Sequence, residues 1–205
     1  MIGTAMQLKR VRPKRNDGFV FFQGFLRCPR QTASVVPSSR FLERRVAQLA
    51  TLSAAETVVE LGPGTGGTTR ALLAAMSPHA SLLSIEINPS FISTLRAIED
   101  DRLTVHHGNA ERLAEILGQH ALGSADAIVS GIPFSLLRPE ARCRIVESVW
   151  SALTPGGRFV AYQVCGRIRA VAGPLFGPAR VAVEFRNFPP LRIFAWCKDP
   201  DRHSP

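Results

Sequence analysis

The pattern of apolar and polar positions after residue 56 alternates between short β-rich runs and helical periods, which predicts a parallel sheet with crossover helices. The candidate strands lie at residues 57–61, 81–85, 103–106, 125–130 and 158–163. The helical periods lie near residues 68–76, 89–98, 110–117 and 139–153. The sequence therefore predicts one α/β domain.

The pattern changes after Gly166. Two apolar runs, at residues 181–186 and 191–196, are joined by Asn187-Phe188-Pro189-Pro190, and this predicts an antiparallel hairpin. With the five earlier strands, the hairpin completes a seven-stranded mixed sheet. The Gly/Pro-rich segment 166–180 is expected to stand outside the core and to flank the ligand-binding end of the sheet.

The first fifty residues also stand apart from the βα pattern. A basic run at residues 9–15 leads into Phe19, Phe21, Phe22 and Phe25, and a helix is predicted near residues 41–50 behind Ser38-Ser39 as N-cap. We expect residues 1–50 to form an N-terminal helical segment that contacts a membrane and covers the site, and residues 51–205 to form the α/β domain. The alternative is that the Phe residues pack over the core and that the basic run is a disordered tail.

Charge is segregated along the chain. The formal net charge is +9, of which residues 1–46 contribute +8, residues 47–165 contribute −3 and residues 166–205 contribute +4. An ordinary solvated surface scatters its charges, so this segregation indicates an anionic partner at the two ends of the chain. Nucleic acid and anionic lipid both qualify.

Other classes of site are not indicated. The four cysteines, Cys28, Cys143, Cys165 and Cys197, are far apart and form no C-x-x-C pair, so neither a metal site nor a disulfide framework is predicted. No apolar run reaches the roughly 18 residues of a spanning helix. We expect a cytoplasmic protein that touches the inner face of the membrane peripherally.

The most informative stretch runs from Glu60 through Gly62, Gly64 and Gly66. A buried strand that breaks into a glycine-rich turn before a helix lets the backbone approach a nucleoside closely. The G-x-G-x-G spacing, with an acid two residues before the first glycine, resembles motif I of the class I S-adenosylmethionine-dependent methyltransferases. Under this resemblance the glycines face the methionine part of the cofactor, and Glu60 holds its ammonium group or orients the turn.

The next two strand ends extend this cofactor site. Glu86 stands twenty residues after Gly66, where an acid grips the two ribose hydroxyls. Ile87 is expected to pack on the adenine face. After the third strand, Asn109 and Ala110 are placed at the adenine, where the Asn109 carbonyl oxygen can accept from the amino group. The alternative for Asn109 is a plain helix N-cap.

The loop after the fourth strand reads Ser130-Gly131-Ile132-Pro133-Phe134. In methyltransferases that act on amines, this position presents the acceptor nitrogen, and in nucleic-acid adenine methyltransferases it reads Asn/Asp-Pro-Pro-Tyr/Phe. Here Ser130 replaces the Asn and Gly131 the first Pro. The departure disfavours a planar adenine and favours a flexible primary amine. The alternative is a tight turn that places Phe134 in the core.

With these motifs assembled, nearly the whole chain resembles the short bacterial phospholipid N-methyltransferases, relatives of the ribosomal RNA adenine dimethyltransferases. The resemblance also rests on Phe21-Phe22-Gln23-Gly24-Phe25, on Cys28-Pro29 and on Ser34-Val35-Val36-Pro37-Ser38-Ser39. It implies methyl transfer from S-adenosyl-L-methionine to phosphatidylethanolamine, and possible continuation towards phosphatidylcholine, with S-adenosyl-L-homocysteine as product.

Such a substrate accounts for the basic ends of the chain. Cations and interfacial Phe residues within residues 1–27 supply two weak membrane signals, about 1 kcal/mol for each cation. The lipid phosphate is expected at Arg167, Arg169 and Arg180, whose alternative is ordinary solvated charge. Tyr162, Glu60, a backbone carbonyl near Ser130 and the lipid phosphate all remain candidates for the base that takes the amine proton.

Two competing functions remain. One is methylation of adenine in ribosomal RNA or another nucleic acid, which the net charge favours and the changed loop after strand four disfavours. The other is a membrane- or RNA-binding protein without catalysis, which the intact glycine turn disfavours. RNA is a partner only under these alternatives, and DNA is not predicted as a partner.

Overall fold

The computed structural model describes residues 39–187 and 189–201, and within them seven strands form one sheet in the order β3-β2-β1-β4-β5-β7-β6. The strands are β1 Thr57–Leu61, β2 Ser81–Glu86, β3 Leu103–His107, β4 Ala125–Ser130, β5 Leu153–Gln163, β6 Arg180–Glu184 and β7 Leu191–Cys197. Strands β1 to β5 are parallel, β7 is antiparallel to β5, and β6 is antiparallel to β7. The predicted seven-stranded mixed sheet with a C-terminal antiparallel hairpin is confirmed.

The strand order reverses at β1, because the chain first adds β2 and β3 on one side and then β4 and β5 on the other. Ligands in open α/β sheets bind beyond the carboxyl ends of the strands at such a switch point. The fold therefore places the turn after β1 at the centre of the ligand-binding edge.

Six helices accompany the strands in the described part of the chain. They are α1 Arg40–Ala50, α2 Gly67–Ala75, α3 Pro89–Arg96, α4 Leu113–Gln119, α5 Pro139–Ala152 and α6 Ile168–Phe176. The helix predicted over 110–117 is divided into a 3-10 turn, Ala110–Arg112, followed by α4. No described helix is both long enough and apolar enough to cross a bilayer.

The helices cover the two faces of the sheet and form two hydrophobic clusters. Helices α1 and α2 pack on one face, while α4, α5 and α6 pack on the other. Helix α1 begins at the N-cap Ser39, whose Oγ accepts the Leu42 N–H at 3.3 Å, and it buries Leu42, Val46 and Ala50. The predicted helix behind Ser38-Ser39 thus shares the core of the α/β domain.

The segment 166–180 differs from expectation, because most of it forms helix α6. Four of its side chains, Ile168, Ala172, Leu175 and Phe176, recur at helical spacing and are buried. Pro174 lies inside this helix, where it removes one backbone donor. The expectation that the segment stands outside the core is wrong, because these apolar side chains outweigh the helix-breaking signal of Gly173 and Pro174.

Candidate active site

The turn after β1 adopts the conformation that its glycines permit. Gly62, Gly64 and Gly66 have φ of 71°, 57° and 82°, in the left-handed region that favours glycine. A Cβ on Gly62 would lie 3.0 Å from Cγ1 of Ile132, whereas a Cβ on Gly64 would meet nothing within 4 Å. Gly62 therefore allows the loop after β4 to approach, and Gly64 borders open space where a ligand can lie.

Glu60, the last residue but one of β1, is fully buried behind this turn. Its Oε2 accepts hydrogen bonds from Thr69 Oγ1 at 2.7 Å and from Ser84 Oγ at 2.8 Å. Burial raises the pKa of Glu60 to about 7, against the lowering effect of those hydrogen bonds, and nearby Glu86 raises it further. Its Oε1 has no hydrogen-bond partner among the described residues, so it is a free acceptor for a cationic or N–H group.

Glu86 ends β2 beside the glycine turn and is 2% exposed. One carboxylate oxygen accepts the Gly64 N–H at 3.0 Å and the other accepts the Asn88 N–H at 2.8 Å. Burial raises the pKa of this carboxyl group above its usual range. Each oxygen retains a further lone pair for hydroxyl donors. Glu86 therefore fixes the turn, and its contact with ribose stays a prediction.

The end of β3 lies next to β2 at the edge where the adenine is predicted. Ile87 is half-buried, and its carbonyl oxygen lies 3.2 Å from Nε2 of His107. The Asn109 Oδ1 accepts the Glu111 N–H at 3.0 Å and so caps the 3-10 turn, in which Ala110 is buried. The alternative interpretation of Asn109 as an N-cap is thus realised, and its adenine contact stays a prediction.

The loop after β4 packs directly on the glycine turn. The Gly131 N–H donates to the Leu61 carbonyl oxygen at 2.9 Å, and a Cβ on Gly131 would clash with the Tyr162 hydroxyl and lie 2.9 Å from the Gly62 carbonyl oxygen. Ser130 is fully buried, and its Oγ accepts the Ile132 N–H at 3.3 Å. The hydroxyl of Ser130 is therefore used inside the loop.

Gln163, the last residue of β5, holds the same loop from the other side. Its Nε2 donates to the Ile132 carbonyl oxygen at 2.7 Å, and its Oε1 accepts the Phe134 N–H at 3.1 Å. Gln163 is 4% exposed, and Phe134 is fully buried in the core. Sequence reasoning missed Gln163, although its position at a strand end was the available signal.

Tyr162 connects the loop to helix α2. Its hydroxyl lies 3.1 Å from Thr68 Oγ1, and the side chain is half-buried. The residues predicted at the acceptor amine, Ser130, Gly131, Ile132, Pro133 and Tyr162, are thus brought together beside the cofactor turn. Glu60 is fully buried and Tyr162 is half-buried at the edge of the loop, and both stay candidates for the base that takes the amine proton.

The three predicted phosphate ligands are not brought together. Arg167 and Arg169 are exposed at the start of α6, where the chain leaves the carboxyl end of β5. Arg180 on β6 pairs with Ala195 on β7, which in turn pairs with Val160 on β5. Val160 lies three residues before the end of β5, so Arg180 is about 10 Å from the carboxyl edge of the sheet. Arg180 is separated from Arg167 and Arg169 because α6 carries the chain back along the sheet before Arg180. The phosphate contact of each candidate stays a prediction. Arg186 and Arg192 occupy the edge instead.

The predicted membrane contact of residues 1–27 lies outside the described residues, as do the motif residues Cys28-Pro29 and Ser34 to Ser38, and Phe188 of the hairpin. Their roles stay predictions.

Comparisons with known proteins agree with this geometry. A family model described as a methyltransferase domain matches residues 59–159. Ornithine lipid N-methyltransferase of Singulisphaera acidiphila is 32% identical over 145 residues, which cover 70% of this chain and 76% of that protein. Ribosomal RNA small subunit methyltransferase A of Thiobacillus denitrificans is 39% identical over 87 residues, which cover 42% of this chain and 31% of that protein.

Solved structures show the same fold at low identity. The N-methyltransferase NodS of Bradyrhizobium japonicum, solved in complex with S-adenosyl-L-homocysteine, superimposes with a TM-score of 0.62 at 15% identity. The superposition covers 88% of this chain and 99% of that one. The similarity to the lipid enzyme thus spans most of both chains, whereas the similarity to the ribosomal RNA enzyme spans less than a third of the latter.

Proposed function

Because the chain belongs to the class I S-adenosylmethionine-dependent methyltransferases, we propose that it methylates the primary amine of a membrane lipid, with phosphatidylethanolamine as the expected acceptor. S-adenosyl-L-methionine is the cofactor, and S-adenosyl-L-homocysteine is the product it leaves. The methylation is expected at the membrane surface, with the loop Ser130–Pro133 facing the acceptor.

The described residues fit this cofactor. Open space borders Gly64, where a nucleoside and its amino-acid tail need close approach to the backbone. Glu60 offers a buried oxygen without a partner among the described residues, which suits an ammonium group, and Glu86 offers lone pairs to ribose hydroxyls. Gly62, Gly64 and Gly66 would hold the chain of the cofactor between these two acids.

The burial of Phe134 carries the choice of acceptor. Enzymes that methylate a base nitrogen use an aromatic ring after this loop as a stacking surface, but Phe134 is 0% exposed and its ring belongs to the core. Gln163 stabilises that arrangement, because its Oε1 accepts a hydrogen bond from the Phe134 N–H. A loop built from backbone and small side chains suits an alkyl amine, which has no π-face to stack.

When bound, S-adenosyl-L-methionine supplies an electrophilic methyl group. The chain must hold the amine nitrogen in line and exclude water, and such orientation can contribute about 7–11 kcal/mol. A primary alkyl ammonium has a pKa near that of Lys, about 10.4, so it must lose one proton before its lone pair can react. The carbonyl oxygens of the Gly131 loop can accept hydrogen bonds from the amine and orient it.

The relatives support a lipid amine and also a second candidate. The ornithine lipid N-methyltransferase is named for an amine-bearing lipid, so an ornithine lipid is a further acceptor to test. The similarity to a ribosomal RNA methyltransferase, together with the net charge of +9, favours adenine in RNA as the second candidate. The buried Phe134 disfavours RNA.

The experiment uses the full chain, labelled S-adenosyl-L-methionine and vesicles that contain phosphatidylethanolamine, an ornithine lipid or no amine lipid. We expect label in phosphatidylethanolamine and none in the vesicles without an amine lipid. Gly131→Ala serves as the low-activity control, because its Cβ would displace Tyr162 and should lower turnover about 100-fold. Label in the ornithine lipid alone would replace the proposed acceptor, and label in neither lipid would contradict lipid methylation.

A further inference from the structure

Exposed apolar side chains are concentrated at one edge of the described structure. Among the described residues, four large apolar side chains are exposed: Phe41 at 47%, Val164 at 43%, Val181 at 45% and Phe185 at 78%. Phe185 follows β6, Val164 follows β5, and Phe41 lies in the first turn of α1. Three of the four therefore lie around the ends of β5, β6 and α1.

Specific contacts link Phe41 to Arg186 and Val164 to Arg192, and Phe185 is the chain neighbour of Arg186. The Arg186 guanidinium lies 3.8 Å above the Phe41 ring, and Arg192 Nη1 donates to the Val164 carbonyl oxygen at 3.3 Å. The start of α1 is attached to the hairpin because the Ser39 N–H donates to Asn187 Oδ1 at 2.9 Å. We call the surface formed by Phe41, Val164, Phe185, Arg186 and Arg192 the hairpin rim.

The charge of the hairpin rim is positive. The rim contains Arg186 and Arg192, and Arg167 and Arg169 are exposed at the start of α6, three and five residues after Val164. Glu184 is 3% exposed and pairs with Arg186, so this pair is neutral overall, and Arg192, Arg167 and Arg169 carry the net positive charge beside it. Exposed aromatic and aliphatic groups flanked by Arg fit the interface of an anionic bilayer, where apolar groups enter the acyl boundary and cations meet the headgroups.

The rim also adjoins the proposed acceptor site. Val164 directly follows Gln163, whose side chain bonds both Ile132 and Phe134 of the loop after β4. A bilayer that contacts the rim would therefore lie next to the loop. A nucleic acid would gain from the cations but not from the aliphatic Val164, which favours lipid.

We propose that the hairpin rim docks on an anionic phospholipid bilayer and so presents the loop Ser130–Pro133 to lipid headgroups. The proposal rests on the lipid substrate proposed above. It adds a membrane contact on the hairpin to the contact predicted for residues 1–27.

The test compares Phe185→Ser with Val181→Ser in the full chain. Val181 is also exposed on β6, but it lies four residues, or about 13 Å, along the chain from Phe185. Vesicles of phosphatidylglycerol and phosphatidylcholine contain no amine acceptor, so sedimentation with them measures docking alone. We expect Phe185→Ser to weaken vesicle partitioning about tenfold and Val181→Ser by less than about twofold. Equal partitioning of wild type and Phe185→Ser would overturn the proposal.

A second variant reports insertion directly. Phe185→Trp should show a blue shift and quenching by brominated phospholipid in those vesicles, whereas Trp150 and Trp196 are 6% and 3% exposed and give a constant background. Unchanged emission of Phe185→Trp would also overturn the proposal. So would a loss of RNA binding in Phe185→Ser without a loss of vesicle binding, which would assign the rim to RNA.

Methylation of phosphatidylethanolamine dispersed in detergent micelles separates the two proposals. If wild type methylates the dispersed lipid and Phe185→Ser still sediments normally with vesicles, the lipid substrate stands and the rim is rejected. If Phe185→Ser loses vesicle binding while wild type methylates no lipid in either form, the rim stands and the proposed function is rejected.

Discussion

The two halves of the sheet's carboxyl edge differ in whether their charged side chains are buried or exposed. At β1 and β2, the acids Glu60 and Glu86 are buried, and every contact that fixes them comes from a strand, a turn or helix α2. At β5 and the hairpin, Phe185 and the arginines are exposed. The first half suits a small ligand of constant shape, and the second suits an extended surface. The comparison indicates that cofactor binding and substrate docking can be altered separately.

The largest effect is expected where the two halves meet, at Gly131. In Gly131→Ala the new Cβ would clash with the Tyr162 hydroxyl and crowd the Gly62 carbonyl oxygen, so the loop must move. A displacement of about 1 Å can lower turnover about 100-fold. Turnover on dispersed lipid, measured beside Gly123→Ala, checks this. A Cβ on Gly123 meets nothing within 4 Å, so that control should keep its activity. Normal turnover of Gly131→Ala would contradict this prediction, because it would show that the loop after β4 can move away from the glycine turn without loss of activity.

The next effect concerns stability in the cofactor half. The folded pKa of Glu60 is raised from 4.5 to about 7, so between these values the folded state holds a proton that the unfolded state has lost. The stability from this group is therefore present below pH 4.5 and is lost as the pH rises through about 7. We expect the unfolding free energy to fall by about 3 kcal/mol over this range from Glu60 alone. Chemical denaturation from pH 5 to pH 8 should show that the free energy of unfolding falls less steeply with pH in Glu60→Gln than in wild type. Identical slopes in the two proteins would contradict the raised pKa of Glu60.

Removal of Glu86 should weaken cofactor binding without changing the binding of the hairpin rim to vesicles. Glu86→Ala deletes the acceptor of the Gly64 N–H and the predicted ribose contact, which should weaken binding of S-adenosyl-L-homocysteine by about 1.5–3 kcal/mol. Calorimetry measures the affinity, with the exposed Glu56→Ala as control. Vesicle binding should not change. Unchanged affinity would remove Glu86 from the cofactor site.

The smallest effect is expected for the Tyr162 hydroxyl. Tyr162→Phe removes its hydrogen bond with Thr68, which should lower the unfolding free energy by about 0.5–1.5 kcal/mol. If the hydroxyl only positions the loop, turnover should fall by less than about tenfold. A loss beyond about 1000-fold with normal cofactor affinity would instead make Tyr162 the base that takes the amine proton.

The sequence predicts the cofactor half well because its signals are local. The sequence predicts strand β1 with its observed bounds, Thr57–Leu61, because an apolar run ends there at glycines that adopt positive φ. The parallel strands and the C-terminal hairpin follow from the same alternation of periods, whereas the spatial order of the strands is seen only in the structure. Glu86 could be placed because strand ends share one edge of a parallel sheet.

The missed features depend on contacts between distant segments. Thr69 and Ser84, which bond Glu60, lie nine and twenty-four residues from it, and no local pattern connects them. Helix α6 was missed because Gly173 and Pro174 obscure its helical period of buried residues. Gln163 could be predicted from the sequence, because ligand-binding residues lie at the carboxyl ends of parallel strands, and this holds for β5 as well as for the first four strands.

Competition between a lipid and an RNA acceptor in one reaction tests lipid methylation directly. The full chain is supplied with labelled S-adenosyl-L-methionine, phosphatidylethanolamine vesicles and structured ribosomal RNA, both acceptors at saturating concentration, and the label in lipid and RNA is counted after extraction. We expect nearly all label in the lipid phase, and Gly131→Ala should lower the rate of lipid labelling about 100-fold. Label in RNA, with none in lipid, would contradict the account and assign the site to adenine methylation.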